Sequence, residues 1–225
     1  MIDYGQFCPV SKTAQIIGEK WTLLIIRELL NGITRFNQIQ RAMPRISPTM
    51  LNKRLGELAE FGIIDRIRIP EQRGYEYALT ECGLELAPLV LQMAKWGMRW
   101  ARSTMADEEL DVELLMGDIR NRINPAGLPR QRGVIRFKFT DLDRYPEWWI
   151  KVKDEDVDLC MDDPGSEVDV YFTSTLRTLT EVWMGDLSLN EVQESEKMQI
   201  VGSKPVLSRL NSWFPLHLYA HVRPK

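Results

Sequence analysis

The chain has 225 residues, 44% of them apolar and 27% charged, with a net charge of −3, a length that suits two small domains. No apolar run follows a basic start and no stretch of about 18 or more apolar residues could span a bilayer, so no membrane partner and a cytoplasmic location are expected. Cys8, Cys82 and Cys160 are odd in number and scattered, which excludes a disulfide framework and any Cys-x-x-Cys metal or redox motif. The charge is uneven: residues 1–105 carry 14 Lys and Arg against 10 Asp and Glu, whereas residues 106–225 carry 15 against 22. Neutralising phosphate dominates affinity for nucleic acid, so the first half is the candidate for that partner and the second is not.

In chain order, Cys8 to Gly18 predicts a short helix and Glu19 to Asn31 a second. In the second, Trp21, Leu24, Ile25 and Leu29 recur at helical spacing while Leu23, Ile26 and Leu30 make it apolar almost all round, the pattern of a central helix. Ile33 to Arg35 is a candidate short strand, and Phe36 to Ala42 a third helix. After a tight turn, Ser47 can cap a fourth helix with Pro48 at its first position, where a missing N–H costs nothing. Leu51, Leu55 and Leu58 then face the core, and a step of 100° per residue puts Thr49, Asn52, Lys53 and Gly56 opposite them. A face of hydrogen-bonding, basic or absent side chains suits a major groove.

Ile63 to Ile69 alternates apolar and basic residues, Glu71 to Gly74 is a turn, and Tyr75 to Leu79 returns as a strand. A basic hairpin directly after a capped helix is a wing, with Arg73 able to reach phosphate or the minor groove. The layout is that of a winged helix-turn-helix, and the expected partner is double-stranded DNA. The expected DNA-binding residues are Ser47, Thr49, Asn52, Lys53 and Arg73. Thr80 should then cap a long helix running to about Thr104 and kinked at Pro88, on which Leu89, Met93, Trp96 and Trp100 form one stripe. That stripe is too long for the small core beneath it, so Trp96 and Trp100 are expected at a homodimer interface, the alternative being that they cover the C-terminal domain.

Several blocks agree in order and spacing with a known family. Cys8-Pro-Val, Ile17 through Leu30, Arg35-Phe-Asn, Ile46 through Leu55, Leu58 through Gly62 and Tyr75 through Gly83 together resemble the HxlR-type transcriptional regulators, over roughly residues 5–100. The resemblance implies a dimeric winged-helix repressor or activator whose recognition helix starts at Ser47 and whose dimer forms through the N-terminal and last helices. It also implies a candidate redox sensor at Cys8, a role some members give to the equivalent cysteine. Chemically that needs a thiolate, which a helix N-terminus or a nearby cation favours; Cys8 precedes a helix start and Lys12 lies one turn on. Two positions depart from the family pattern. Gly56 stands where a longer, often basic side chain is common, and Cys82 where a larger aliphatic one is usual.

In the second half, residues 106–125 predict an acidic amphipathic helix carrying Leu110, Leu114, Leu115, Ile119 and Ile123. Val134 to Thr140 alternates as a half-buried strand, with Ile135, Phe137 and Phe139 on one face and Arg136 and Lys138 on the other. Trp148 to Lys153, Val157 to Met161 and Val168 to Thr173 follow at hairpin spacing to make an antiparallel sheet. Thr175 to Gly185, Ser188 to Glu194 and Lys204 to Phe214 are helical. Strands followed by helices read as an α+β domain with helices over one face of the sheet.

The order Glu147 through Val152, Asp162-Asp-Pro-Gly, Val168-Asp-Val, Leu176 through Leu189 and Ile200 through Ser203 resembles the sterol carrier protein type 2 fold, over about residues 107–215. It implies a cavity for a lipid-like or flat apolar molecule. Phe137, Phe139, Trp148, Ile150, Leu179, Trp183 and Phe214 are the candidate walls. Catalysis finds no support: His217 and His221 have no third ligand nearby, and nucleophile-elbow, phosphate-loop and dinucleotide motifs are missing, so neither an enzyme nor a cofactor nor a metal is expected.

The expected molecule is thus α+β, with a winged helix-turn-helix DNA-binding and dimerisation domain over residues 1–105 and a sterol-carrier-protein-like antiparallel sheet covered by helices over residues 106–225. Its expected function is dimeric, sequence-specific transcription regulation, with the C-terminal domain either sensing an apolar small molecule or stabilising the dimer. The alternative is a carrier of apolar ligands whose N-terminal half serves only for dimerisation.

Overall fold

Apolar residues at helical spacing set the frame of the N-terminal half, with side-chain caps at Ser47 and Thr80. The computed structural model describes residues 3–70, 74–101 and 106–223, and the chain divides into two units, Met1–Ala94 and Lys95–Lys225. The first unit contains α1 (Pro9–Ile17), α2 (Thr22–Leu30), α3 (Phe36–Ala42), α4 (Pro48–Glu60), β1 (Ile64–Arg68), β2 (Tyr75–Leu79) and α5 (Glu81–Leu84). Then α6 (Ala87–Trp100) spans the division. Adjacent Ile25 and Ile26 are both fully buried, but Leu24 is exposed and the helix expected from Glu19 starts only at Thr22, after a left-handed Trp21, so α2 is not covered on every side. They share one core with Ile39, Leu51, Leu55, Leu58 and Tyr77.

β1 and β2 pair antiparallel, with Arg66 opposite Tyr77. The short strand expected at Ile33 to Arg35 reduces to a single bridge between Arg35 and Glu76, helped by the Tyr77 N–H donating to Thr34 O at 2.9 Å. Because α3 starts at Phe36, no further residue remains to extend it. The turn expected at Glu71 to Gly74 falls, except for Gly74, outside the described residues.

The long helix expected from Thr80 is two helices. Thr80 Oγ1 accepts the Gly83 N–H at 3.2 Å and caps α5. A proline clashes with the carbonyl four residues back, here Leu84, which is where α5 ends. Pro88 instead lies in the first turn of α6, where its missing N–H is harmless, and does not kink a continuous helix.

In the second unit a one-turn 3-10 segment at Asp107–Glu109 precedes α7 (Val112–Arg122), whose N-terminus is capped by Asp111 accepting the Leu114 N–H at 3.0 Å. Five strands follow: β3 (Arg132–Phe139), β4 (Glu147–Lys153), β5 (Asp156–Cys160), β6 (Val170–Ser174) and β7 (Met198–Gly202), in the order β5-β4-β3-β6-β7. The helices are α8 (Leu176–Trp183), α9 (Leu189–Glu194), α10 (Lys204–Leu207) and α11 (Leu210–Trp213). Thr175 caps α8, and Ser188 with Glu191 forms a capping box on α9.

The sheet is mostly antiparallel, but β3 and β6 pair parallel, because the chain leaves the β5 edge and crosses to the far side of β3. Sequence alternation reports which residues face the core and is silent on strand direction. The β7 strand, not singled out in the sequence, completes the far edge against β6. The helix expected over Lys204 to Phe214 breaks into α10 and α11, which lets Trp213 and Phe214 both bury while Trp213 Nε1 donates to Val206 O at 3.0 Å.

Candidate nucleic-acid interface

The polar arc of α4 is built from its cap outward. Ser47 Oγ accepts the Met50 N–H at 3.2 Å and Pro48 opens the helix, so Ser47 already works as a cap. Leu51, Leu55 and Leu58 are buried on one side, and Thr49, Asn52, Lys53 and Gly56 are all exposed on the other. Lys53 Nζ lies 3.9 Å from Glu57 Oε1, a helical i, i+4 pair that draws its ammonium to the flank of this arc.

One residue that fixes the arc escaped the sequence reading. Arg54 sits on the core side of α4 and is only 6% exposed. Its Nη1 donates to Glu57 Oε2 at 2.6 Å, its Nη2 to Glu19 Oε2 at 2.8 Å and its Nε to Lys20 O at 3.1 Å. The guanidinium therefore ties α4 to the loop before α2. The signal was present: position 54 is three after Leu51 and four before Leu58, so a cation there must bury and find partners.

On the wing, Arg66 lies over the Tyr75 ring at 3.6 Å, a cation–π contact across the two strands, and Arg68 is exposed. Arg35 Nε pairs with Glu76 Oε1 at 3.1 Å where α3 meets β2. Arg73 lies outside the described residues.

The remaining sequence candidates fall elsewhere. Cys8 is the residue before α1, and the backbone amides of Ser11 and then Val10 hold its thiol below the ordinary range. Lys12 contributes only its backbone N–H, to Cys8 O at 3.0 Å. On α6, Trp96 is 62% and Trp100 53% exposed, and Leu89 and Met93 of the same stripe are exposed too.

All seven candidate pocket residues, Phe137, Phe139, Trp148, Ile150, Leu179, Trp183 and Phe214, are buried in one core cluster of the second unit. Phe172, which the sequence reading omitted, lies among them. Its ring is stacked 4.9 Å from Phe137 and sits 5.2 Å from Phe214, and Phe214 is 5.6 Å from Trp183. Trp183 Nε1 donates to Asp118 Oδ2 at 2.7 Å, which satisfies the one polar atom of that indole. Among the described residues no group of three or more His, Cys, Asp and Glu is gathered as a metal site.

Comparison with known proteins agrees with both halves. Residues 16–105 match the HxlR-like helix-turn-helix family, and residues 117–214 match the SCP-2 sterol transfer family. The chain is 36% identical over 108 residues to the uncharacterized HTH-type transcriptional regulator YvaP of Bacillus subtilis, covering 47% of this chain and 100% of that protein. It is 35% identical over 115 residues to the uncharacterized HTH-type transcriptional regulator sll1512 of Synechocystis, covering 51% of this chain and 82% of the relative. Among solved structures, the reduced form of the transcriptional regulator YodB from B. subtilis matches at 36% identity and a TM-score of 0.37, covering 41% of this chain and 92% of that one.

Proposed function

The chain belongs to the HxlR-like helix-turn-helix regulators, with an SCP-2 sterol transfer domain after the DNA-binding half, and on that premise we propose that it regulates transcription as a sequence-specific DNA-binding homodimer. The observation that carries this reading is the exposed arc of Thr49, Asn52 and Lys53 on a helix whose opposite arc is locked in the core. In the reading, that arc enters the major groove, with Asn52 suited to a bidentate contact with adenine. The basic strand β1 flanks it, its Arg68 available to phosphate.

The exposed α6 stripe supports the dimer. Leu89, Met93, Trp96 and Trp100 leave large apolar side chains open to solvent along one helix, a cost that a second copy removes. A two-fold dimer would read two half-sites spaced by whole turns of DNA.

The match of the second unit to the SCP-2 sterol transfer family supports an effector role for a small apolar molecule, which would have to open the aromatic cluster that now packs on itself. Asp154, Asp156, Asp158, Asp162 and Asp163 give the β5 edge of the sheet and its flanking loops an acidic character, which favours a neutral or cationic compound over an anion. Such a compound acts on transcription only if it binds one dimer arrangement better than another; a tenfold change in DNA affinity needs about 1.4 kcal/mol of that preference.

Selection of duplexes from a randomised pool by the wild-type chain tests the main reading. A preferred sequence should emerge, and Asn52→Ala should weaken its binding by about 1–3 kcal/mol and relax the preference at one base position. A chain that merely carried apolar ligands would enrich nothing. Sedimentation of a Trp96→Glu, Trp100→Glu variant checks the dimer: a monomer is expected at micromolar concentration, and a persistent dimer would remove both residues from the interface. Tryptophan fluorescence titrated with neutral apolar compounds should report binding near Trp148 and Trp183, and the compounds that bind should shift affinity for the selected duplex; binding with no such shift would end the effector role.

A further inference from the structure

Glycine in the interior of a helix destabilises it, so a helical glycine that the chain itself does not need asks for a reason outside the chain. A Cβ built on Gly56 of α4 meets nothing within 4 Å, and the residue's φ is not among the positive ones. Neither close packing nor backbone geometry demands glycine at this position. Two other helix-interior glycines, Gly97 and Gly117, are equally open. What distinguishes Gly56 is its place: it is exposed and continues the arc of Thr49, Asn52 and Lys53, seven residues after Thr49 and one turn beyond Asn52 and Lys53.

A helix with its side chains is about 10–12 Å across and the major groove is about 12 Å wide, so each side chain on the inserted face sets how deep the helix can sit. At Gly56 the surface is bare backbone. Lys53, the long side chain nearest along the arc, has its Nζ 3.9 Å from Glu57 Oε1 rather than over Gly56, and its exposed ammonium is free to swing to a base edge.

We infer that Gly56 is a specificity-determining notch, where bare backbone lets α4 sit deep enough in the major groove for Asn52 and Lys53 to reach base edges. This rests on the DNA-binding reading. The notch acts on the fitted complex, in which the helix is fully inserted. Loose, phosphate-driven binding to unrelated DNA does not depend on it.

The test uses the full chain, with a duplex it selects from a randomised pool and a scrambled duplex of the same composition. Gly56→Ala should raise the melting temperature, since it restores helix propensity in open space, and yet weaken binding to the selected duplex by roughly tenfold, while binding to the scrambled duplex and the slope of affinity against salt stay unchanged. Gly117→Ala, an equally open helical glycine in the other unit, should leave both affinities as they were. Gly56→Ala binding the selected duplex as tightly as wild type, or losing affinity equally on both duplexes, would overturn the notch while leaving the DNA-binding reading intact. If the wild-type chain enriches no duplex, that reading fails and the notch fails with it.

Discussion

A buried guanidinium orients the face on which the proposed DNA contact depends. Arg54 places its charge on the core side of α4, and Glu57, Glu19 and the Lys20 carbonyl accept from it in three directions. Desolvating such a cation costs several kcal/mol, recovered only when partners surround it with good geometry. The same tie holds the turn into α2, where Trp21 adopts a left-handed φ of 79°, a conformation that costs a bulky residue on the order of 1–3 kcal/mol and persists only where its surroundings enforce it. With Leu51, Leu55 and Leu58 packed on the same side, α4 cannot roll about its own axis without stripping a charge of its partners. Thr49, Asn52, Lys53 and Gly56 are therefore held outward together.

Much of this was legible because it is local. A Ser47-Pro48 start, leucines at three- and four-residue steps, and a basic hairpin three residues beyond the helix are all written within short windows of sequence. Arg54 went unread for the opposite reason: its partner Glu19 lies 35 residues away, so the short window around it shows the cation on an apolar arc but not what holds it. Pro88 was expected to kink one continuous helix and instead stands in the first turn of a new one, because whether a proline kinks a helix or restarts it depends on the chain before it, here Thr80 and Gly83 closing a separate turn.

In the second unit the alternation of Ile135, Phe137 and Phe139 identified the inner face of the sheet, and the register sets Phe137 beside both Trp148 and Phe172. Strand direction and the β7 edge are properties of long connections, which periodicity does not encode. Trp149 illustrates the limit in another way: it lies on the opposite face from Trp148 and is buried as well, so simple alternation understates how much of β4 is covered. The charge imbalance lies between residues 1–105 and 106–225, and the acidic excess falls on the aromatic-cored part of the chain.

The tie through Arg54 is tested most directly by a double-mutant cycle with Glu19, using Arg54→Met and Glu19→Gln singly and together, with stability read by urea unfolding of the first unit. The account predicts a coupling of about 1–3 kcal/mol between the two positions, as residues sharing one buried charge network show. Additivity within roughly 0.3–0.5 kcal/mol would mean that Arg54 and Glu19 do not hold each other, and that the outward set of α4 is fixed by its leucines alone.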